Sequence, residues 1–518
     1  LVFILSIGYY IAPEILKGRA YTSKVDVWSL GVLLFEMCAL DVPIKAANLH
    51  DLYKRIMSFR RVPPIPRQYS ASVRELLAAM LSVDASKRPS VADLLAHEAI
   101  RGRVDACLSA EERKAEFDWH PGMLLEDASM QTPFMADMVS LADPTSHFSF
   151  LNYLKLHDKL YNFYIREDFF LLRREYNQYC QWAAGQLSNV AFNRHVSRIE
   201  FDDARDCYRL TVRRNDNGGR ETVLARKLVM GTGPTPSIPA CCEGLGENVI
   251  HASDYLKHKA ELQQQGSITL VGSGQSAAEI FYDLLELAGP DSYRLSWLTR
   301  SPRFFPLEYT KLTLEMTSPE YVDYFHGLPA ASRDRLIAEQ KQLYKGINSE
   351  LINDIHDLLY RKRLAGEVPV VLMTNSSLTG AHRDRVSNRL ELDFHHHEQQ
   401  RDFRHQTSSL VLATGYQYRE PYCLDGISDR LRRDDQDRLD PRRDYSIDQR
   451  GDVFIQNGPL HSHGFVTPDL GMACYRNACI LRAVTGREPY RVEKRIAFQE
   501  FGVPEAGDVV LEARRESA

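Results

Sequence analysis

The stretch SITLVGSGQSAAEIFYDLLELAG, residues 267–289, constrains the fold of this 518-residue chain more than any other. Residues 268–271 form an apolar strand pattern, and Gly272, Gly274 and Ala277 supply a G-x-G-x-x-A turn. Apolar residues at helical spacing then give a helix one buried face: Ile280, Phe281, Leu284 and Leu285. A strand, a glycine turn and a helix in this order form a dinucleotide-binding unit, because the glycines let the backbone approach a pyrophosphate at the positive helix N-terminus.

The residue after the next strand indicates which dinucleotide binds. The predicted strand 294–298 ends in Thr299-Arg300-Ser301. An acidic residue there would hold the ribose hydroxyls of NAD, whereas Arg300 suits the extra phosphate of NADP. The sequence therefore predicts NADPH, bound by Arg300 and by the turn, including Gln275 and Ser276. The alternative is that Arg300 is an ordinary surface charge at a strand end.

Charge and hydropathy exclude several kinds of partner. The formal net charge is −5, which gives no basic footprint for nucleic acid or an anionic membrane. The longest apolar runs, LVFILSI and GVLLFEM, fall short of the ~20 residues that cross a bilayer. LVFILSI also lacks a basic flank, a small-residue cleavage site and an initiator Met, so we expect an interior piece of a longer gene product.

Cysteine and histidine spacing favours free thiols and a solvated histidine turn over disulfides and a metal site. The 9 cysteines include no C-x-x-C pair, and adjacent Cys241-Cys242 is poor geometry for a disulfide, so we expect reduced thiols in a cytoplasmic protein. The run HHH at 395–397 follows an alternating strand pattern and is interpreted as a solvated turn, although it leaves a metal site open.

A second glycine turn lies in SSLVLATGYQYREP, residues 408–421. Residues 410–413 are predicted to form a buried strand that ends in Thr414-Gly415, where small residues let the backbone approach a ligand. Here the chain resembles the flavin-dependent N-hydroxylating monooxygenases of siderophore pathways, the lysine 6-monooxygenase and ornithine 5-monooxygenase family. That family's pattern is L-A-T-G-Y, then four residues, then Pro or His. Here four residues separate Tyr416 from Pro421, so the spacing matches.

Further motifs carry the same resemblance from about residue 116 to 490. They are FDWHPGM at 117–123, MQTPF at 130–134, DPT at 143–145, FSFLNYL at 148–154 and His463-Gly464. The resemblance implies an FAD side of the site whose residues are Trp119, His120, Gln131, Thr414, Gly415, His463 and Gly464. For Trp119, core packing is an equally good interpretation.

The resemblance also implies an activity. NADPH would reduce FAD, and the reduced flavin with dioxygen would deliver one oxygen atom to a primary amine. The amine must be neutral to react, and because a free alkylammonium has a pKa near ~10.4, a desolvating pocket is expected. A homotetramer is the assembly that the family suggests.

Two departures from the family pattern bear on cofactor and substrate. The family's first glycine-rich unit, which cradles the FAD pyrophosphate, should precede residue 117, but VDACLSAEERKAEF has neither its apolar strand nor its glycines. Ala136 and Leu314 stand where amino-acid-specific members have polar substrate contacts, which favours a diamine such as putrescine or cadaverine. Asp469 is the candidate partner for the distal ammonium group, the alternative being an exposed loop carboxylate.

The beginning of the chain resembles another family. GYYIAPEILKGRAYTSKVDVWSLGVLLFEM and KRPS at 87–90 are similar to the C-terminal part of a eukaryotic-type Ser/Thr protein kinase. By this resemblance Glu14 and Arg88 would form a buried ion pair, and Asp26 would brace the catalytic loop. The Gly-rich lid, strand Lys, H-R-D loop and D-F-G motif that phosphoryl transfer needs do not appear, so we expect no kinase activity.

Together these motifs predict an α/β protein with two Rossmann-like dinucleotide-binding domains, the FAD domain truncated at its N-terminus and the NADPH domain inserted, preceded by a mainly helical kinase fragment. The competing hypothesis is a catalytically inactive fusion or scaffold protein with a kinase-derived interaction module. The predicted segments are a kinase C-lobe fragment at 1–105, a linker at 106–116, the first part of the FAD domain at 117–240, the NADPH domain at 241–400, the FAD-domain return with the substrate site at 401–490, and a C-terminal tail at 491–518.

Overall fold

The chain forms two compact units, Leu1–Lys114 with Asn215–Asn217, and Ala115–Arg214 with Gly218–Ala518. A computed structural model describes residues 9–17, 24–46, 48–66, 69–89, 94, 97, 116–215, 218–384 and 386–503. The apolar run at the N-terminus and most of the predicted linker lie outside the described residues. Within the described ranges, no helix has both the length and the apolar character that crossing a bilayer requires.

The smaller unit is helical in its described residues. Its core is built around Trp28, Val32 and Phe35 on one helix, which pack against Leu52 and Leu77. Asn48 and Ser70 cap the two following helices by accepting backbone N–H bonds. The helices are α1 (Pro13–Leu16), α2 (Lys24–Ala39), α3 (Leu49–Met57) and α4 (Ala71–Met80).

A buried ion pair joins the two ends of this smaller unit. Both Arg88 Nη atoms donate to the Glu14 carboxylate, at 2.7 and 2.8 Å. The Arg88 side chain is fully buried, and its Nε–H donates to the Ser82 carbonyl. Although burial opposes the charged form of Glu14, the hydrogen bonds and charge of Arg88 lower the Glu14 pKa. Asp26 lies in the first turn of α2; its bracing role stays a prediction.

The larger unit is mixed α/β. Its strands are β1 (Ser129–Pro133), β2 (Phe170–Leu172), β3 (Arg194–Asp202), β4 (Cys207–Arg214), β5 (Arg220–Ala225), β6 (Leu228–Met230), β7 (Thr235–Pro236), β8 (Val249–His251), β9 (Ser267–Gly272), β10 (Arg294–Leu298), β11 (Val370–Met373), β12 (Ser376–Arg383), β13 (Leu390–His396), β14 (Arg401–Thr407), β15 (Ser409–Ala413), β16 (Tyr416–Gln417) and β17 (Val453–Ile455). Its helices are α5 (Phe150–Leu156), α6 (Leu160–Arg166), α7 (Arg173–Gln186), α8 (Tyr255–Leu262), α9 (Gln275–Leu285), α10 (Lys311–Leu314), α11 (Pro319–Gly327), α12 (Ala330–Glu339), α13 (Ser349–Ala365), α14 (Leu460–His463) and α15 (Ala473–Thr485).

A five-stranded parallel sheet organises the larger unit, in the order β11-β10-β9-β15-β8. Its central strands are buried on both faces, as in other parallel sheets covered by helices. Helices α9 and α13 pack on each other over this core. The strands predicted at 268–271, 294–298 and 410–413 all lie within observed strands, and the predicted apolar face of α9 is fully buried.

The remaining strands form smaller sheets. Strands β3, β4 and β5 make an antiparallel meander, β12, β13 and β14 make another, and β6 pairs in parallel with β17. The HHH run ends β13 and turns into β14, as its pattern predicts. After β6 the chain continues through Gly231-Thr232-Gly233-Pro234 into the short strand β7 and not into a helix. The eight described cysteines are free thiols.

Candidate active site

The glycine turn joins β9 to α9 at the carboxyl edge of the parallel sheet. Gly272 has a φ of +155°, and a Cβ atom there would lie 2.2 Å from the Ala413 carbonyl oxygen in β15. At Gly274, directly before α9, a Cβ atom would collide with nothing, because its nearest neighbour is the Lys345 carbonyl oxygen at an ordinary contact distance of 3.7 Å. Gly272 is therefore required by the protein's own packing. Gly274 keeps clear the space before a helix N-terminus, where a phosphate is stabilised.

Lys345, whose carbonyl oxygen lies beside this turn, is an exposed residue with two further cations, Lys341 and Arg300, close enough to affect its charge. The Lys345 ammonium group keeps some solvent contact, but the surrounding protein lowers its pKa, and the charges of Lys341 and Arg300 lower it further. Like charges held together in this way repel one another, and a bound anion relieves the repulsion. The position and the charge both suit the phosphates of NADPH.

The other predicted residues of this turn act through the main chain or through packing. The Gln275 side chain turns inward, where its Nε2 donates to Glu279 at 2.8 Å and its Oε1 accepts from the Asn348 N–H at 2.8 Å. Ala277 is fully buried, and Ser276 is half-buried. The backbone N–H groups of the first helical turn have no intrahelical acceptor and point towards the anion space.

The second turn, Thr414-Gly415, lies beside the first because Ala413 pairs with Gly272 across β15 and β9. Thr414 Oγ1 donates to the Ser237 carbonyl at 2.5 Å. His251 Nε2 donates to the Gly415 carbonyl at 3.1 Å, while its Nδ1 accepts from the Ser253 N–H at 3.1 Å, which fixes the neutral tautomer. Burial lowers the His251 pKa and keeps this ring uncharged.

A row of aromatic rings leads away from the second turn. The Tyr416 ring lies 5.3 Å from that of His251 and 6.1 Å from that of His120, and Trp119 lies 4.9 Å from His120, all centroid to centroid. A Cβ atom at Gly122 would lie 1.8 Å from the Ser253 carbonyl oxygen, so only glycine allows this close approach. The structure therefore brings Trp119 and His120 to the same region as Thr414-Gly415.

Buried polar atoms with unused hydrogen-bonding capacity lie further along the site. Among the described residues, Gln131 Nε2 and Thr132 Oγ1 find no hydrogen-bond partner, and neither do Thr467 Oγ1 and Arg476 Nε. The Tyr309 hydroxyl donates to the Gln131 carbonyl at 2.5 Å and so joins the irregular stretch after β10 to β1. Buried atoms of this kind are normally satisfied, so these four atoms are candidates for ligand contacts.

Asp469 belongs to this polar wall and is not an exposed loop carboxylate. It is half-buried and accepts the Gly471 N–H at 2.6 Å. Burial raises its pKa, against the backbone N–H groups of Gly471 and Met472 and the nearby charge of Arg476. Its charge also acts on Tyr309, whose pKa burial raises to about 12. A carboxylate in this setting gains stability from a cationic ligand.

Four other predicted residues are described by their burial and packing, without a contact to either glycine turn. Ala136 is buried, and Leu314 ends α10 with its side chain partly exposed. His463 is deeply buried, stacks on Tyr445 with ring centroids 4.1 Å apart, and has both nitrogens in hydrogen bonds; Gly464 packs against the Phe325 ring. A role for His463-Gly464 in FAD binding stays a prediction.

Sequence reasoning missed His251, Tyr309, Lys345 and Arg476. The signal for His251 was available, because it ends a strand of the same parallel sheet as the two glycine turns. Lys345 and Tyr309 lie in irregular stretches without periodicity, so nothing local distinguishes them from surface residues.

The residues fit NADPH fully and FAD in part. The glycine turn, the open Gly274 space and the cations suit a phosphorylated dinucleotide. The aromatic row and the unpaired atoms of Gln131 and Thr132 suit a flavin ring system. Among the described residues of the larger unit, however, the β9–α9 connection is the one strand–glycine turn–helix unit, so no second cradle for the FAD pyrophosphate is seen there.

Comparison with known proteins shows the family of the chain. Residues 94–418 match the family model described as L-lysine 6-monooxygenase/L-ornithine 5-monooxygenase, and residues 5–100 match the protein kinase domain model. The putrescine N-hydroxylase of Shewanella oneidensis is 53% identical over 410 residues, which cover 79% of this chain and 82% of the relative. The alcaligin biosynthesis enzyme of Bordetella pertussis is 49% identical over 397 residues, or 76% and 86% of the two chains.

Solved structures give the same result. The FAD-bound cadaverine monooxygenase DfoA of the desferrioxamine pathway of Erwinia amylovora is 56% identical, with a TM-score of 0.74 over 76% of this chain and 91% of that one. The ornithine N-hydroxylase of Kutzneria sp. 744, solved with reduced FAD, NADP+ and L-ornithine, is 26% identical, with a TM-score of 0.66 over 72% and 91%.

The fold and the site define a flavin- and NADPH-dependent N-monooxygenase. The chain belongs to the L-lysine 6-monooxygenase/L-ornithine 5-monooxygenase family.

Alanine substitutions at Gly272 and Gly274 are predicted to affect different properties, the first stability and the second NADP+ binding. Gly272→Ala should lower the melting temperature, because its Cβ atom would collide with the Ala413 carbonyl. Gly274→Ala should leave the melting temperature unchanged but weaken NADP+ binding about tenfold, because its Cβ atom fills only ligand space. Calorimetric melting and NADP+ titration of the full chain measure both effects. Equal changes in melting temperature and in NADP+ affinity for the two variants would contradict the different roles given to Gly272 and Gly274.

Proposed function

We propose that this chain N-hydroxylates an aliphatic diamine, putrescine or cadaverine, for hydroxamate siderophore biosynthesis. The observation that carries the proposal is Asp469, a half-buried carboxylate in a polar wall that has unused hydrogen-bonding atoms. Ala136 and Leu314 cannot pair with the carboxylate of an amino-acid substrate, which agrees with this choice. Three relatives between 47% and 56% identical are named for putrescine or cadaverine.

The chain's residues would divide the two ends of the diamine between different environments. Asp469 would pair with the distal ammonium group and keep it charged. The reacting amine would lie towards Gln131 and Trp119, where packing removes water and favours its neutral, nucleophilic form. When bound, FAD reduced by NADPH would activate dioxygen, one atom of which would go to this amine while the other would leave as water. Tyr309 would hold the Gln131 strand at a fixed distance from the wall that carries Asp469.

The nicotinamide nucleotide would be held by three kinds of contact. The first-turn N–H groups of α9 would bind the pyrophosphate. Arg300 and Lys345 would neutralise phosphate charge, with Arg300 on the 2′-phosphate. Thr414-Gly415 and the His251 hydrogen bond would keep the neighbouring turn close enough for the nucleotide to reach the flavin side.

The domain boundaries and the biological setting are part of the proposal. Residues 117–240 and 401–490 would form the FAD-binding part and residues 241–400 the NADPH-binding part. Residues 1–105 would be a kinase C-lobe fragment in which the Glu14–Arg88 pair is structural. Dioxygen and the amine would be the small-molecule partners, and the protein would be a cytoplasmic homotetramer.

One observation favours a second candidate, a catalytically inactive fusion or scaffold protein. The described residues of the larger unit hold no second strand–glycine turn–helix unit for the FAD pyrophosphate. Flavin retention separates the two candidates, because a scaffold would not keep FAD through desalting.

Arg300 is predicted to set the preference for NADPH. Arg300→Ala should raise the Michaelis constant for NADPH about tenfold and leave that for NADH unchanged, because only NADPH carries the 2′-phosphate. Arg303→Ala is the matched control, since this neighbouring cation stacks on Phe305. An unchanged preference in the Arg300 variant would rule out its assignment.

Asp469 is predicted to select diamines. Asp469→Asn should raise the Michaelis constant for putrescine roughly 10- to 100-fold, because one charge-assisted hydrogen bond is lost. The Michaelis constant for butylamine, which has no distal ammonium group, should be the same in Asp469→Asn as in wild type. Because the Asp469 pKa is raised, this carboxyl group takes up a proton at a higher pH than an ordinary aspartate does. The wild-type Michaelis constant for putrescine should therefore rise as pH falls. An unchanged constant for putrescine in the variant would refute the proposed pairing.

A further inference from the structure

Arg173 and Glu279 form a nearly buried ion pair inside the larger unit. The two Arg173 Nη atoms donate to the two Glu279 carboxylate oxygens, each at 2.7 Å. The side chains are 12% and 6% exposed. Arg173 begins α7 and Glu279 lies in the second turn of α9, so the pair joins the segment that follows β2 to the helix that follows the glycine turn.

On the Glu279 side, hydrogen bonds continue to the nucleotide space. Glu279 accepts from Gln275, the first residue of α9, and Gln275 accepts from the Asn348 N–H. Asn348 also caps α13 by accepting the N–H groups of Glu350 and Leu351. Because Asn348 lies three residues after Lys345, this relay holds both the helix N-terminus and the segment that carries Lys345.

On the Arg173 side, the contacts lead to the flavin-facing strand. The Arg173 N–H donates to the Ala128 carbonyl at 2.9 Å, directly before β1. Strand β1, which carries Gln131, pairs with β2, and β2 ends immediately before Arg173. The ion pair therefore lies between the strand on the predicted flavin side and the turn on the predicted NADPH side.

The charge of Glu279 matters because of where this residue lies on α9. Glu279 lies one helical turn from the α9 N-terminus, where the proposed function places the pyrophosphate. Burial raises the Glu279 pKa, and the charge of Arg173 and two hydrogen bonds oppose that rise. An unpaired carboxylate at this depth would repel a bound phosphate with little screening by solvent.

We propose that Arg173 is a positioning residue for NADPH: it cancels the Glu279 charge behind the helix N-terminus and, through Glu279 and Gln275, fixes the glycine turn against the flavin-facing strand. This inference rests on the proposed function, because it assumes that the turn binds NADPH. Arg173 itself does not contact the nucleotide in this account.

Titration of the full-length chain with NADP+ tests the inference without requiring turnover. At a pH high enough to ionise the unpaired Glu279 carboxyl, Arg173→Met should weaken NADP+ binding about tenfold or more, because the Glu279 charge is then unopposed. At lower pH the loss should be smaller, because burial keeps the unpaired carboxyl protonated. Glu279→Gln should bind NADP+ within about twofold of wild type, because the amide carries no charge and still accepts from Gln275. The double variant should recover most of the lost affinity, and Arg173→Lys should lie between Arg173→Met and wild type.

The melting temperature separates this role from a merely structural one. Both single substitutions break a buried pair and should lower it, but only Arg173→Met should lose NADP+ affinity. Lys259→Met is the matched control, since Lys259 pairs with Asp283 one turn further along α9, at 2.7 Å.

Affinity retained by Arg173→Met even at a pH that ionises the unpaired Glu279 carboxyl, or affinity lost equally by both single variants, would overturn the inference while the proposed function stands. If Arg173→Met does not fold, Arg173→Lys and the double variant decide the question by the same measurement. Failure of the wild type to bind NADP+ would overturn the proposed function and this inference together.

Discussion

The close approach of Gly272 to the Ala413 carbonyl is the contact on which the rest of the site depends. It sets two glycine turns side by side at the carboxyl edge of one parallel sheet. A side chain on Gly272 would separate β9 from β15, and the turn that leads into α9 would move away from Thr414-Gly415. A chain that brings two ligands together needs such an edge, because parallel strands deliver their carboxyl ends to one place.

Two buried ion pairs show how distant segments are held in register. Glu14–Arg88 does so in the smaller unit and Arg173–Glu279 in the larger one, each with a bidentate guanidinium that satisfies both carboxylate oxygens. Because removing one partner leaves an uncompensated buried charge, each pair makes its arrangement specific rather than merely stable. In the larger unit the pair joins the start of α7 to the helix that follows the glycine turn.

The sequence predicts the parts of the fold that carry local signals. The β9–α9 unit was predictable because its strand, its glycines and its buried helix face all lie within a few residues of one another. The polar wall was not, because Tyr309 and Arg476 come from segments far apart in the chain. Asp469 stays a candidate that the sequence suggests by its chemistry, and its burial depends on neighbours that no local pattern reveals. Lys345 could not be predicted either, because its significance comes from the nearby charges of Lys341 and Arg300, which only the fold brings close to it.

The central claim is that this chain combines FAD, NADPH and a diamine in one site. The most direct test incubates the purified chain with FAD, desalts it, records its visible spectrum, and then measures N-hydroxylated putrescine formed per NADPH consumed. The account predicts retained flavin bands and close to one product molecule per NADPH. A colourless protein, or NADPH oxidation that putrescine neither stimulates nor converts into product, would contradict it.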